Sequence, residues 1–268
     1  MCKNLNICSL LLILILSNSI YPQASKFEEI SRFHAREARQ GVAVDSNYIY
    51  AIGSQQIAKY DKKTHSLVKK WKGNETGPII HLDSGVILDG KLYCAHSNYP
   101  DVPMTSSIEI WNAETLEHIG NHSFGINWGS CTWVDRKDGF WYAGFAQYNK
   151  WKHLTGKGSE WTVVNKFDDN WRLLESWTYP KEVVERFEKM SNSGGSFGPG
   201  GYLYLTGHDA TEIYVMNFPQ FGSELVLVEI LKIANEGQGL AWDRTQTNVL
   251  YGIVKEGRWI TVSELVKE

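Results

Sequence analysis

Short apolar runs broken by clusters of Gly, Asn, Asp and Ser fill the chain from residue 27 onward, and one pattern among them recurs. A glycine stands just ahead of an apolar strand at Gly41 (QGVAVD), Gly85 (SGVILD), Gly129 (GSCTWVD), Gly195 (GGSFG) and Gly239 (QGLAWD). The spacings are 44, 44, 66 and 44 residues. Three equal steps and one longer by 22 imply five copies of one unit, with the surplus inserted in the third. Each copy continues with an aromatic-rich run (YIYAIG, KLYCAH, FWYAGF, YLYLTG, VLYGIV) and then a third run of alternating apolar residues. In four copies the third run closes on a polar residue: Tyr60-Asp61, Trp111-Asn112, Phe167-Asp168 and Met216-Asn217. Asp or Asn at such a point bonds its own backbone and starts a turn. The fourth strands that follow are predicted over 67–71, 116–122, 173–177 and 225–233.

Four antiparallel strands per copy make the blade of a propeller, so the pattern predicts an all-β, five-bladed β-propeller. The fifth copy runs out after its third strand (258–265), while an unassigned strand-like segment (27–33) precedes the first. That N-terminal segment is expected to supply the outer strand of the last blade, closing the ring and removing exposed edges. A single helix is predicted over 181–190, where Val183, Val184, Phe187 and Met190 share a face and Pro180 suits the first turn. It falls in the insertion of the third copy.

The chain opens differently. Lys3, the apolar stretch 7–16 (ICSLLLILIL) and a small-residue exit at 17–24 read as a cleaved export signal, too short to span a bilayer. Residues 1–24 are therefore expected to be a signal peptide and 25–268 a single propeller domain, periplasmic or secreted, with no membrane insertion. Cys2 and Cys8 sit in no lipoprotein box and would leave with the signal. Cys94 and Cys131 remain. An oxidising compartment would permit a bridge, but both lie in apolar runs (LYCA, SCTW) where free cysteine is a small buried hydrophobe, and that reading is preferred.

A net charge of -3 without any basic run gives no field to hold a polyanion, which argues against nucleic acid as a partner. No glycine-rich phosphate loop opens a helix, so no nucleotide cofactor is expected, and no Gly-x-Ser-x-Gly nucleophile elbow occurs in a strand-to-helix context. The informative residues lie in the loops entering each innermost strand and leaving each second strand, which open on one face around a central funnel. The entering loops carry Arg39 and Gln40, His81 and Asp83, Asn127 and Trp128, Asn192 and Ser193, and Glu236 and Gln238. The leaving loops carry Gln55, His96 to Tyr99 with Asn98, Gln147 and Tyr148, His208 and Asp209, and Lys255 and Glu256. Taken singly these are ordinary turn formers. As a set, an arginine, three histidines, a tyrosine and several amides in one concavity fit a polar, anionic ligand. His65, His118, His122 and His153 fall on outer strands or insertions and are read as surface. His81, His96 and His208 with a nearby carboxylate could also hold a divalent metal, but ligands on separate blades form no motif, and the metal-free reading is preferred.

The stretches RQGVAVD, GPIIHLDSGV, CAHSNYPDVPM, GSCTWVD, SGGSFGP, TGHDA and EGQGLAWD resemble a group of small exported bacterial propellers labelled cycloisomerase-like. Some chains of this appearance look like members of marine polysaccharide-degradation systems, including an ulvan-oligosaccharide dehydratase. The resemblance implies a carbon-oxygen lyase acting by β-elimination on the non-reducing-end uronic acid of an anionic oligosaccharide. Such chemistry needs a base for the C5 proton, an acid for the C4 hydroxyl and a cation for the carboxylate. His81, His96, His208 and Tyr99 are the candidates for proton transfer. Arg39, Gln40, Asn98, Trp128, Asp209 and Gln238 are the candidates for binding substrate. The alternatives are a cycloisomerase or lactonase acting on a small carboxylic acid, and a carbohydrate-binding propeller without catalysis.

Overall fold

A computed structural model describes residues 25–267, so the expected export signal over 1–24 lies outside the described residues. The chain starts in β1 (Ser25–His34). The first blade follows as β2 (Gly41–Val44), β3 (Tyr48–Gly53), β4 (Gln56–Asp61) and β5 (Leu67–Lys72). The second is β6 (His81–Leu88), β7 (Lys91–Ser97), β8 (Ser106–Asn112) and β9 (His118–Gly125). The third is β10 (Ser130–Lys137), β11 (Phe140–Ala146), β12 (Val163–Phe167) and β13 (Leu173–Thr178). The fourth is β14 (Gly194–Phe197), β15 (Leu203–Thr206), β16 (Glu212–Asn217) and β17 (Val226–Lys232). The last blade joins β18 (Ala241–Trp242), β19 (Val249–Val254) and β20 (Trp259–Lys267) to β1, in the order β1-β20-β19-β18. The protein is a five-bladed β-propeller, and its two ends are zipped together from Ser25 opposite Lys267 to His34 opposite Trp259.

The polar residues closing the third strands act as the sequence suggests. Asp61 Oδ1 accepts from the amides of Lys63 and Thr64, Asn112 Oδ1 from those of Glu114 and Thr115, and Asp168 Oδ1 from those of Asn170 and Arg172. The surplus of the third copy divides between two places. One part is the connection from β11 to β12, which holds a short helix α1 (Lys152–Thr155) that has no counterpart in the sequence reading. The other is α2 (Lys181–Arg186), which buries Val183, with Phe187 buried just past its end, and stops short of the expected 190. Glu188 adopts φ 51°, a left-handed conformation that an α-helix cannot carry through.

The recurring glycine has a packing cause. A Cβ on Gly41 would lie 2.9 Å from the Ser84 Cα, and one on Gly239 would lie 2.7 Å from the Gly41 Cα and 2.9 Å from the Ser84 Cβ. Ser84 and Gly239 belong to the second and fifth blades, with the first between them. The innermost strands thus meet near the axis, where only a residue without a side chain fits, and they floor the funnel. We expect Gly239→Ala to cost about 1–3 kcal/mol through overpacking, seen as a lower urea midpoint with unchanged slope. Gly120→Ala on an outer strand, where no atom lies within 4 Å of the new Cβ, should cost nothing.

Between the blades the core is aromatic. Trp133 is fully buried between the third and fourth blades, where Gly144 and Gly195 leave room for its indole, and its Nε1 donates to Asn192 Oδ1 at 2.7 Å. The Cys94 and Cys131 thiols are free and buried.

Candidate functional site

On the face where the entering and leaving loops gather, a cavity of about 370 Å³ draws lining from every blade. Arg39, Gln40 and Ser54 come from the first, His81, Asp83 and Tyr99 from the second, and Thr132 and Tyr148 from the third. Ser193 and His208 come from the fourth, and Gln238 and Lys255 from the fifth. A second hollow of about 400 Å³ shares Arg39, His208, Gln238 and Lys255 and adds Asp209, Glu236, Glu256 and Arg258. A larger hollow, about 660 Å³, lies between the first two blades around Lys59 and the Asp45 and Asn112 turns, on the other face. Two neighbouring blades line that hollow, whereas titratable groups from all five blades converge in the funnel, which makes the funnel the better candidate.

Two strand irregularities aim polar side chains at the axis. The β6/β7 register shifts between Leu82 and Gly85, and the β10/β11 register shifts between Cys131 and Trp133. A bulge of this kind turns a side chain out of the alternation. Asp83 and Thr132 sit at these shifts, inside apolar strands, and both line the cavity. The Thr132 hydroxyl is buried without a hydrogen-bond partner, an unmet polar group at the floor of the funnel.

The electrostatics are those of crowded cations in a partly dry hole. Among the described residues neither the Arg39 nor the Lys255 side chain has an ion-pair or hydrogen-bond partner. Burial lowers the Lys255 pKa, and Arg39 lowers it further. Burial first, then His96, Lys255, His208 and Arg39 push His81 from the ordinary 6.5 down to about 4. His208 is also lowered by burial, against the pull of Asp209. Asp83, 3.7 Å from His81 Nε2, is held well above the usual carboxylate range by burial, which Lys255 only partly opposes. The funnel therefore biases its imidazoles toward the neutral form and Asp83 toward the protonated form, beside cations that have no ion-pair partner among the described residues. An anion reaching the floor of the cavity meets Arg39 from the first blade and Lys255 from the fifth.

Of the residues expected in the site, Arg39, Gln40, His81, Tyr99, His208 and Gln238 line the cavity. Gln40 Nε2 donates to Ser54 Oγ at 2.9 Å and Gln238 Nε2 to the His208 carbonyl at 2.9 Å, so both amides brace the rim. Tyr99 packs its ring 4.7 Å from that of His81 and accepts from Lys150 Nζ at 2.8 Å. Asp209 stands in the adjoining hollow, 81% exposed, with its Oδ1 2.5 Å from His208 Nδ1. Three residues fall elsewhere. Asn98 staples its own loop, accepting from the Thr105 amide at 2.7 Å and donating to the Pro103 carbonyl at 3.0 Å. Trp128 packs toward Phe145 outside the lining. His96 is buried beside the cavity wall with both ring nitrogens engaged, by the Ile80 amide at 3.2 Å and Ser107 Oγ at 2.9 Å. It has no free nitrogen for a ligand.

Lys255, Tyr148 and Asp83 carry more of the site than sequence reasoning assigned to them, although all three lie in the loops or strand starts it marked. Thr132 left no signal, since its place depends on a bulge. Among the described residues no group of three or more His, Cys, Asp or Glu is placed to hold a metal ion. Among the same residues no helix is long and apolar enough to cross a membrane.

No protein-family model and no curated protein matches the chain. Solved structures to which it is similar include a chain of the mitotic checkpoint complex, at 7% identity over 90% of this chain and 96% of that one, TM-score 0.49. The U3-55K structure is similar at 10% identity over 84% and 80%, TM-score 0.45. The RRP9 WD40 repeats are similar at 9% identity over 84% and 79%, TM-score 0.44. At such values these neighbours carry no argument about this chain's ligand or activity.

Proposed function

We propose that the funnel binds the carboxylate of a terminal uronic acid and eliminates water across C4 and C5, giving a 4,5-unsaturated sugar. The observation that carries this reading is the unpaired cation couple, Arg39 and Lys255, beside neutral proton-transfer groups in one cavity. Arg39 and Lys255 hold the carboxylate and stabilise it as it gains enolate character. His208, with Asp209 on its Nδ1, offers a bare Nε2 as the base for the C5 proton. Asp83, which burial biases toward its protonated form, is the candidate acid, 3.7 Å from His81 Nε2. The C5–H bond breaks to His208, its electron pair forms the C4–C5 double bond, and the C4–O bond breaks as Asp83 gives its proton to the departing hydroxyl, which leaves as water. Tyr99, Tyr148 and Trp151 form an aromatic wall, with ring centroids 5.0 to 5.5 Å apart, against which a sugar ring can stack.

The test is the ultraviolet absorbance of the conjugated product, at about 235 nm. Purified residues 25–268 incubated with saturated uronic-acid-terminated oligosaccharides should raise it. Turnover of a muconate or lactone with no rise on any uronate would instead support the cycloisomerase or lactonase reading. Affinity without turnover would leave a carbohydrate-binding propeller. Arg39→Ala and Lys255→Ala should each raise KM about 10- to 100-fold, the loss of one charge-assisted contact, and also lower kcat, since the contact strengthens as the enolate forms. The same reading places the substrate outside the cytoplasm, which the N-terminal sequence of the exported protein tests by starting near residue 25.

A further inference from the structure

The second blade holds a chain of buried polar groups that runs from its outer strand to the funnel wall. His118 Nε2 lies 2.7 Å from Glu109 Oε2, and Glu109 Oε1 takes the Ser107 hydroxyl at 2.6 Å. Ser107 Oγ lies 2.9 Å from His96 Nδ1, and His96 Nε2 takes the Ile80 amide at 3.2 Å. Ser107, Glu109 and His96 are all buried, and Ile80 and His81 are consecutive residues of the cavity lining.

One backbone group reveals how the protons in this chain are arranged. An amide can only donate, so His96 Nε2 carries the lone pair and Nδ1 carries the hydrogen. Nδ1–H then donates to Ser107, whose own hydrogen goes to Glu109, and Glu109 accepts at both ends because His118 donates to its second oxygen. His118, which its outer-strand position suggested was a surface residue, is the far anchor. The other titratable neighbours of His96 are His81 on β6 and the buried Cys131 thiol on β10.

We propose that Ser107, Glu109 and His118 are positioning residues that lock His96 in its Nδ1–H form, so that its bare Nε2 holds the Ile80 amide and sets His81 in the funnel. The consequence for ligand binding rests on the reading of the funnel as a uronate site. Without Ser107 the ring is free to carry its hydrogen on Nε2, where it meets the Ile80 N–H donor to donor. The strand start then shifts, and His81 moves with it.

The experiment has two arms on the folded protein of residues 25–268. In the first, histidine-selective ¹⁵N NMR of the wild type should show His96 as the Nδ1–H tautomer. An Nε2–H or doubly protonated ring at neutral pH would overturn the proposal, whatever the ligand. In the second, Ser107→Ala should weaken glucuronate binding by about tenfold, one hydrogen bond's worth of positioning, and displace the His81 titration midpoint. Ser107→Thr, which keeps the hydroxyl, should restore both. Unchanged affinity and an unchanged His81 midpoint in Ser107→Ala would overturn the proposal. If glucuronate binds neither wild type nor variant, the uronate reading fails on its own. The tautomer and the His81 midpoint then decide the positioning chain without it.

Discussion

Replacing His208 by alanine is expected to lower turnover of a uronic-acid-terminated oligosaccharide by about 10²- to 10⁴-fold while leaving KM close to the wild-type value. Two observations combine in that expectation. His208 lines both funnel hollows, and its Nδ1 is held by Asp209, which fixes the ring and leaves Nε2 as the free nitrogen. A group that takes a proton only as the transition state forms contributes to kcat and little to ground-state binding. The carboxylate contacts of Arg39 and Lys255 persist in the variant, so substrate still loads. Asp209→Asn should cost far less, about tenfold at most, because an 81% exposed carboxylate is largely screened by solvent. The fold should survive, since the brace from Gln238 runs to the backbone carbonyl of His208 and does not involve its ring. Full turnover in His208→Ala would move the base to His81, the other imidazole on the lining.

The architecture was legible because each blade repeats the same physical problem. The innermost strand needs a small residue where blades crowd the axis, which is why glycine recurs at Gly41 and Gly239. The third strand needs an Asx turn, which is why Asp61, Asn112 and Asp168 recur. The missing outer strand of the last copy and the spare strand at the start could only be the same strand. The site was legible to the extent that loops open on one face, so Arg39, His81 and His208 meet in one cavity. Bulges defeated the rest. Strict alternation cannot show that Thr132, between two buried apolar neighbours, aims at the axis, nor that a register shift after Leu82 brings Asp83 to the cavity. Nor can sequence show that the histidine two residues beyond Cys94 has both nitrogens spent inside its own blade.

Acidification is expected to destabilise the protein between about pH 6.5 and 4, through His81 above all. Its pKa in the unfolded chain is the ordinary 6.5 and in the folded protein about 4, so in that window the unfolded state binds the extra proton. The stabilisation is full above pH 6.5 and is lost as pH falls toward 4. A shift of that size corresponds to at most about 3 kcal/mol, roughly a hundredfold in the folding equilibrium. His96 and His208 are displaced in the same direction by burial and share the cavity wall, so their contributions couple to that of His81 and do not simply add. Asp83 works the other way: its pKa is raised in the folded state, so it favours folding more as pH falls. The His81 contribution is isolated by comparison. Urea midpoints at pH 7 and pH 4.5 should separate widely for wild type and much less for His81→Gln, with Asp83→Asn widening the gap. A uronate in the funnel offsets Arg39 and Lys255, raises His81 toward its ordinary value and flattens the profile. Equal acid sensitivity in wild type and His81→Gln would show that neither burial nor the cation cluster depresses this imidazole, and the funnel would lose part of its electrostatic case for an anionic ligand.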